Sequence, residues 1–530
     1  MAPLIRTGGS RHTGLAALPH RNIHQTYTNN RNVVNLIVKE AKNMREKRLV
    51  RIIQNELINF KNVEYGKIKY MNYSSVQKNA CITENDIVGI YGQNGSGKTA
   101  LVEALDILKH VLSGMEIPFD SYEGLLSDKG DTAIKTIFFI EKGNIKYKAV
   151  YDATFAVDTG EKRIFLKTES LSFEEKGSGW KNERRVQFSN PYYDSDAIIN
   201  NVEPDIESKR IDFFEKMGML KNLAVYCAQK NVSIFFNDLI LKSMLGNQSG
   251  VNGEEDFRNI IQSLIHFGRA CFQVVKVNQL GAINSNIIPL NVHREKGNMI
   301  TQGCLPLVMM GRGEVPEEIY EQLKPVIASI NIAIKSIIPK LSIELSVCNE
   351  EIKSDGNKYL QVEVYSNRDG KKFLTKYESE GIKRIISLLQ YLIALYNSPE
   401  VCLVVDELDS GIFEYLLGEM LGMLNEDAKG QLIFTSHNLR ILEKLPNKNI
   451  VCSTINPKNR YIRLVGVEKN HNRRDFYIRT ITLGGQKEEL YDETELQAMG
   501  YAFRRAAQGE EEVEIEMSDA FKKLLNEVDL

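Results

Sequence analysis

The residues from Ile87 to Leu105, IVGIYGQNGSGKTALVEAL, constrain this chain more than any other stretch. An apolar run enters a turn with the spacing G-x-x-x-x-G-K-[ST], filled by Gly92, Gln93, Asn94, Gly95, Ser96, Gly97, Lys98 and Thr99. Glycines at 92, 95 and 97 let successive backbone N–H groups turn toward one anion, because no Cβ opposes those conformations. The spacing predicts a helix from Thr99 to about Leu112, and its unpaired first-turn N–H groups, Ala100 among them, point at the same anion. In this pattern Asn94, Gly95, Ser96 and Gly97 cradle phosphate, Lys98 reaches the β/γ-phosphates, and the Thr99 hydroxyl holds magnesium. A chance glycine turn is the plain alternative. The flanks argue against it, since Ile87–Tyr91 reads as a buried strand and Leu101, Leu105 and Leu108 give the helix an apolar face. ATP and Mg2+ are the expected cofactors.

Composition narrows the class without naming a function. A chain of 530 residues, 43% hydrophobic with net charge −2, is an ordinary globular composition and exerts no overall pull on nucleic acid. No apolar run approaches the ~18 residues of a membrane helix, so no membrane partner is expected. The seven cysteines stand singly, with no C-x-x-C pair, which argues for a reducing, cytoplasmic setting and against a zinc site or disulfide scaffold.

Five segments follow from the pattern along the chain. Residues 1–43 have no acidic side chain before Glu40 and read as a disordered basic extension upstream of a start at Met44, although their composition also resembles a transit peptide. Residues 44–185 carry the P-loop and β-rich runs, including a hairpin signal at Gly143-Asn144. Residues 186–340 read as a compact α-helical insertion, closed by VPEEIYEQLKPVIASINIAIKSIIP between Val315 and Pro339. Strands return from Leu341, and residues 341–507 complete the second half of the P-loop unit. Residues 508–530, with GEEEVEIEM, read as a solvated acidic tail and not as metal ligands.

The second half supplies what nucleotide hydrolysis needs. In VCLVVDELDSG (Val401–Gly411) a buried strand ends in adjacent carboxylates. Asp406 is placed to bind magnesium, and Glu407, pointing elsewhere on the pleat, to polarise the attacking water. Ser379, Gly381 and Lys383 open a helix predicted over Ile382–Tyr396, which makes a second anion site. LIFTSHN ends a strand near His437, where an imidazole can sense the γ-phosphate.

In this order and spacing the motifs resemble the ABC-type ATPase superfamily, over about Arg48–Trp180 and Leu341–Ala507. Walker A, signature, Walker B, D-loop and H-switch correspond to Gly92–Thr99, Ser379–Lys383, Cys402–Glu407, Leu408–Gly411 and His437. INFKNV, VVDELDSGIFEYLLGEML and NRRDFYI look like the branch that holds OLD-family, RecF and SMC-like ATPases. The 379 − 99 = 280 residues between Thr99 and Ser379 exceed transporter spacing and fall short of SMC arms. No Q-loop glutamine stands out between Gly130 and Phe155, and the chain is expected to carry no Toprim nuclease of its own.

The resemblance implies an α/β ABC-type head, a mixed sheet with an antiparallel β subdomain and a helical insertion. It implies a homodimer joined through two ATP sites, with Glu407, His437 and Lys98 catalytic. It further implies an ATPase subunit of an antiphage system similar to Septu, PARIS or retron-associated operons. Such a subunit would govern a separate HNH-type nuclease or toxin in response to DNA or a phage protein. The alternatives are a RecF/SMC-like DNA-maintenance ATPase and an ATP-holding scaffold with little turnover.

Overall fold

The computed structural model describes residues 48–71, 86–126, 130–176, 180–190, 205–209, 220–240, 254–277, 287–296, 299–308, 313–354, 356–467, 472–492 and 495–508. The basic N-terminal extension, the Gly177–Gly179 turn and the acidic tail from 509 onward lie outside them.

Two sheets face each other. The first begins with β1 (Arg48–Phe60) and β2 (Val63–Lys69). After β3 (Asp86–Tyr91) leaves for the other sheet, it continues through β4 (Thr132–Lys142), β5 (Ile145–Asp158), β6 (Arg163–Lys176), β7 (Trp180–Ser189) and β8 (Asp205–Lys209). It is antiparallel, in the order β2-β1-β4-β5-β6-β7-β8. Strict alternation of buried and half-buried residues along β5 marks one face packed and one face wet.

The second sheet holds the site. Beside β3 run β9 (Phe272–Val275), β16 (Cys402–Val405), β17 (Gln431–Thr435), β18 (Ile450–Ser453) and the short β19 (Tyr461–Ile462). The order is β19-β18-β3-β17-β16-β9, parallel except for β19. Strands buried on both faces explain why CLVV and QLIFT are nearly continuous apolar runs. Val88 and Ile90 face the antiparallel sheet with Cys402, Val404 and Ile433, whereas Ile87, Leu403, Val405 and Phe434 face a helical layer. That period of two divides one sheet between two cores.

Helix α1 (Lys98–Ser113) lies between the sheets and ends at Gly114, whose φ of 67° suits a left-handed cap. The opposite layer contains α4 (Glu317–Ile337), α5 (Glu380–Asn397), α6 (Glu414–Asp427) and α7 (Leu439–Lys444). Gln431 fastens the two sheets together: its side-chain amide accepts from Ile52 N–H at 3.0 Å and donates to Ile52 C=O at 2.8 Å.

The stretch expected to be wholly helical is mixed. Besides α2 (Leu220–Lys230), α3 (Glu254–His266) and α4, it contains β8, β9, an antiparallel pair formed by β10 (Ile287–Lys296) and β11 (Met299–Val308), and β12 (Gly313–Pro316). β12 joins a separate sheet with β13 (Leu341–Ile352), β14 (Lys358–Arg368) and β15 (Lys371–Leu374). A four-residue, mostly apolar run such as FQVV of β9 has too few residues for its period to separate strand from helix.

Candidate functional site

The P-loop joins β3 to α1, and its glycines answer different demands. At Gly92, φ is 153° and a Cβ would sit 2.0 Å from Ser453 Oγ, so the position excludes a side chain by contact. Gly95 has open space around it, and there the requirement is conformational, with φ at 80°. Neighbouring side chains hold the loop in shape. Ser96 Oγ donates to Gln93 C=O at 2.6 Å, Ser96 and Ser453 hydroxyls meet at 2.5 Å, and Tyr461 OH donates to Gly97 C=O at 2.7 Å. Asn62 donates to Gly95 C=O, and Asp492 N–H donates to Gln93 Oε1 at 2.9 Å.

Asn94 and Gly95 are exposed on the open side of the loop, Thr99 is half-buried, and Ala100 is buried. No side chain caps α1 at Gly97, so the first-turn N–H groups remain available to an anion. Lys98 is buried and lays its ammonium on the loop, donating to Gly92 C=O and Gln93 C=O, both at 2.8 Å. Burial lowers its pKa, against the opposing pull of Asp406, Glu407 and Asp409.

Those carboxylates follow β16. Asp406, 1% exposed, accepts from Thr435 Oγ1 at 2.6 Å through Oδ1, and its Oδ2 has no hydrogen-bond partner among the described residues. The chain then turns sharply, with φ of 46° at Glu407, whose N–H donates to the same Thr435 Oγ1 at 2.8 Å. Thr435, at the end of β17, therefore positions both carboxylates. Two adjacent β-strands, about 4.8 Å apart in any sheet but far apart in sequence, create this hub, and it was not foreseen from the sequence. The signal was the Thr of FTSHN at a strand end.

His437 follows two residues later. Its backbone N–H donates to Asp409 Oδ2 at 3.1 Å, which ties the D-loop to the β17 exit. The ring lies at the open rim. Cover on its inner side and then the Lys98 charge lower its pKa below the ordinary histidine value, opposed by Asp409, Glu407 and Asp406. Lys98, Asp406, Glu407, Asp409 and His437 thus share one electrostatic neighbourhood.

The signature residues stand apart from that group. Ser379 is exposed and caps α5, its Oγ accepting from Ile382 N–H at 3.4 Å. A Cβ on Gly381 would lie 2.1 Å from Gly411 C=O, so the start of α5 and the end of the D-loop pack backbone against backbone. Lys383 is buried and does not face solvent. Beside it, Arg384 is 1% exposed and donates to Asp406 C=O at 3.3 Å, which links the signature helix to the carboxylate strand. Burial lowers the Arg384 pKa to about 10, against the pull of Asp406 and Glu407.

The strand beside β16 is β9, so an element leading from the carboxylates toward the insertion departs after Val275. Between Gly130 and Phe155, where a Q-loop glutamine would be expected, the chain forms β4 and most of β5 in the antiparallel sheet.

A strand–P-loop–helix unit with acids at the end of a parallel strand of the same sheet, one strand removed, defines an α/β P-loop protein. Among solved structures, the chain is similar to an SMC head domain from Thermotoga maritima, with TM-score 0.31 and 13% identity over 78% of this chain and 99% of that one. It is also similar to the recombination mediator RecF bound to ATP, with TM-score 0.30 and 13% identity over 79% and 100%. An SMC head bound to the C-terminal winged-helix domain of ScpA gives TM-score 0.35 and 11% identity over 78% and 97%. No protein-family model and no curated protein matches the chain. At such identities the weight falls on the geometry of the site itself.

Proposed function

We propose that the chain is an ABC-type ATPase that works as a homodimer with nucleotide held between two heads. One observation carries the reading: Lys98, Asp406, Glu407 and His437 converge on the uncapped N-terminus of α1. The buried, unpartnered Oδ2 of Asp406 and the hydroxyl of Thr99 suit a hard divalent cation, and Mg2+ there would neutralise phosphate charge. Lys98 exchanges its loop carbonyls for the β/γ-phosphates, and the α1 N–H groups meet the same anion. Glu407 orients and deprotonates the attacking water. Neutral His437 donates its ring N–H to the γ-phosphate.

Assembly is supported by what surrounds the signature. Tyr377 and Phe413, each 71% exposed, flank Ser379 and Gly411, and apolar surface of this kind is suited to a partner. In the dimer, Ser379, Gly381 and the α5 N-terminus of one chain cap the γ-phosphate held by the other. Lys383 supports the helix from inside.

The wider role follows from the motif resemblance. We read the chain as the sensor or regulatory subunit of a prokaryotic antiphage complex, governing a separate HNH-type nuclease or toxin. Glu407→Gln should retain ATP binding and lose ~10²–10⁴-fold in turnover, because an amide keeps the shape and cannot accept the proton. Lys98→Ala should lose binding. Parental turnover in Glu407→Gln would remove the proposed base. Salt-sensitive DNA binding without any effector partner would favour the DNA-maintenance reading instead.

A further inference from the structure

At the opposite edge of the parallel sheet, three side chains of metal-ligand type converge. The ligand atoms of His266, Cys271 and Glu400 all lie within 4.8 Å of one another. His266 Nε2 and Cys271 Sγ are 3.6 Å apart. Zinc–nitrogen and zinc–sulfur bonds at tetrahedral angle place those atoms about 3.6 Å apart. Cys271 is buried and the other two are half-buried, so the cluster has a covered thiol and an open side.

The backbone is built to make this meeting. His266 ends α3, and Phe267–Cys271 is a π-turn in which Phe272 N–H donates to Phe267 C=O. Residues five apart on an α-helix diverge by about 140°. The wider turn returns Cys271 toward the face of His266, and such turns recur at functional sites. The turn is also pinned against α1. A Cβ on Gly268 would lie 2.7 Å from Leu112 Cβ, and Arg269 donates to Ser113 C=O at 2.9 Å and to Asp238 at 2.8 Å.

The third residue arrives from far along the chain. Phe272 pairs with Cys402, so Cys271 and Glu400 stand at the entry ends of adjacent parallel strands. Asp406 stands at the exit end, six residues beyond Glu400 and about 20 Å away at ~3.3 Å per residue. This cluster is therefore separate from the nucleotide site.

We propose that His266, Cys271 and Glu400 bind one zinc ion, with water as the fourth ligand. Nitrogen, sulfur and oxygen donors in one tetrahedral set suit zinc better than magnesium or calcium. On binding, Cys271 releases its thiol proton to solvent, so affinity rises with pH. A rotation of the Glu400 carboxylate closes the set. The ion would clamp the entry of β9 to that of β16, the strand that ends in the candidate catalytic carboxylates. Sequence alone argued against zinc because its cysteines stand singly, and one cysteine with a histidine five residues away and a distant glutamate leaves no spacing motif.

The test uses the full chain, stripped with chelator and titrated with Co2+ as a spectroscopic stand-in. The expected result is one cobalt per chain with a thiolate-to-cobalt charge-transfer band, displaced by Zn2+. Cys271→Ser should abolish the band, and His266→Ala should abolish tight binding. Lys98→Ala should leave the metal site unchanged, which separates this proposal from the nucleotide site. Glu400→Gln, a half-exposed change that spares the buried positions, should weaken binding by at least the ~10–100-fold typical of losing an outer-sphere partner. Circular dichroism checks that each variant is folded. Absence of a thiolate band in the parent chain, or its persistence in folded Cys271→Ser, would overturn the proposal and leave the 3.6 Å approach as an S–H···N contact.

Discussion

Replacing Thr435 by valine removes one hydroxyl and keeps the shape of the side chain. Thr435 is fully buried, so water cannot stand in for the lost group. Two partners are orphaned together: Asp406 Oδ1, which received its proton at 2.6 Å, and Glu407 N–H, which it accepted at 2.8 Å. Each buried group left unsatisfied costs roughly 1–3 kcal/mol, more for a charged one, and partial relaxation offsets some of the sum. The Glu407 backbone is already in the left-handed region at φ 46°, and its only side-chain tether among the described residues is this hydroxyl. A carboxylate displaced by about 1 Å loses on the order of 10²-fold in rate. Turnover should therefore fall by about 10²-fold while ATP affinity, which rests on the loop and Lys98, changes by less than about threefold. Thr435→Ser restores the hydroxyl and should return turnover to within about threefold of the parent. Steady-state ATPase assays with equilibrium nucleotide binding read both quantities. Parental turnover in the valine variant, or a serine variant as impaired as valine, would refute the positioning argument.

Two other perturbations probe separate parts of the site. Gly381→Ala drives a methyl into Gly411 C=O, 2.1 Å away and backbone on both sides, which at the ~1–3 kcal/mol of overpacking should separate signature from D-loop. Turnover should collapse with ATP binding intact, and an unaffected ATPase would show that this contact is dispensable. The lowered pKa of His437 keeps the imidazole neutral into mild acid. Activity that depends on neutral His437 should persist as pH falls through the ordinary histidine value of about 6.5 and decline only below it. The stability contribution has the same sign: it is complete above that value and lost as pH falls toward the folded-state pKa. A His437→Gln variant should flatten this acid limb, and an unchanged profile would assign the limb to another group.

How much was legible in the sequence depends on how local each interaction is. The P-loop and the DE strand end are contiguous, and their backbone demands fix their residue types, so Gly92–Thr99 and Asp406-Glu407 could be read directly. The hairpin at Gly143 and the helix expected over Ile382–Tyr396, which runs Glu380–Asn397, were likewise visible from turn chemistry and period. Thr435 was not legible, because its role exists only once β17 lies beside β16. The same applies to β9, a short apolar run within a helix-rich stretch that became a sheet edge, and to the Gly381–Gly411 approach across 30 residues. Lys383 shows the reverse failure. A basic residue in a signature-like motif suggests phosphate, yet helical phase turns its side chain inward, while Ser379 is exposed and Gly381 half-buried.

The central claim is that one chain's signature completes the partner chain's ATP site. Mixing two inactive variants tests it most directly. Lys98→Ala disables the P-loop, and Ser379→Arg fills the exposed helix start with a bulky charge. In a mixed dimer one composite site carries both lesions, and the other combines two intact halves. The account predicts partial recovery of ATPase activity on mixing, rising with the fraction of mixed dimer. Demonstrated co-assembly of the two variants without any recovery would contradict it.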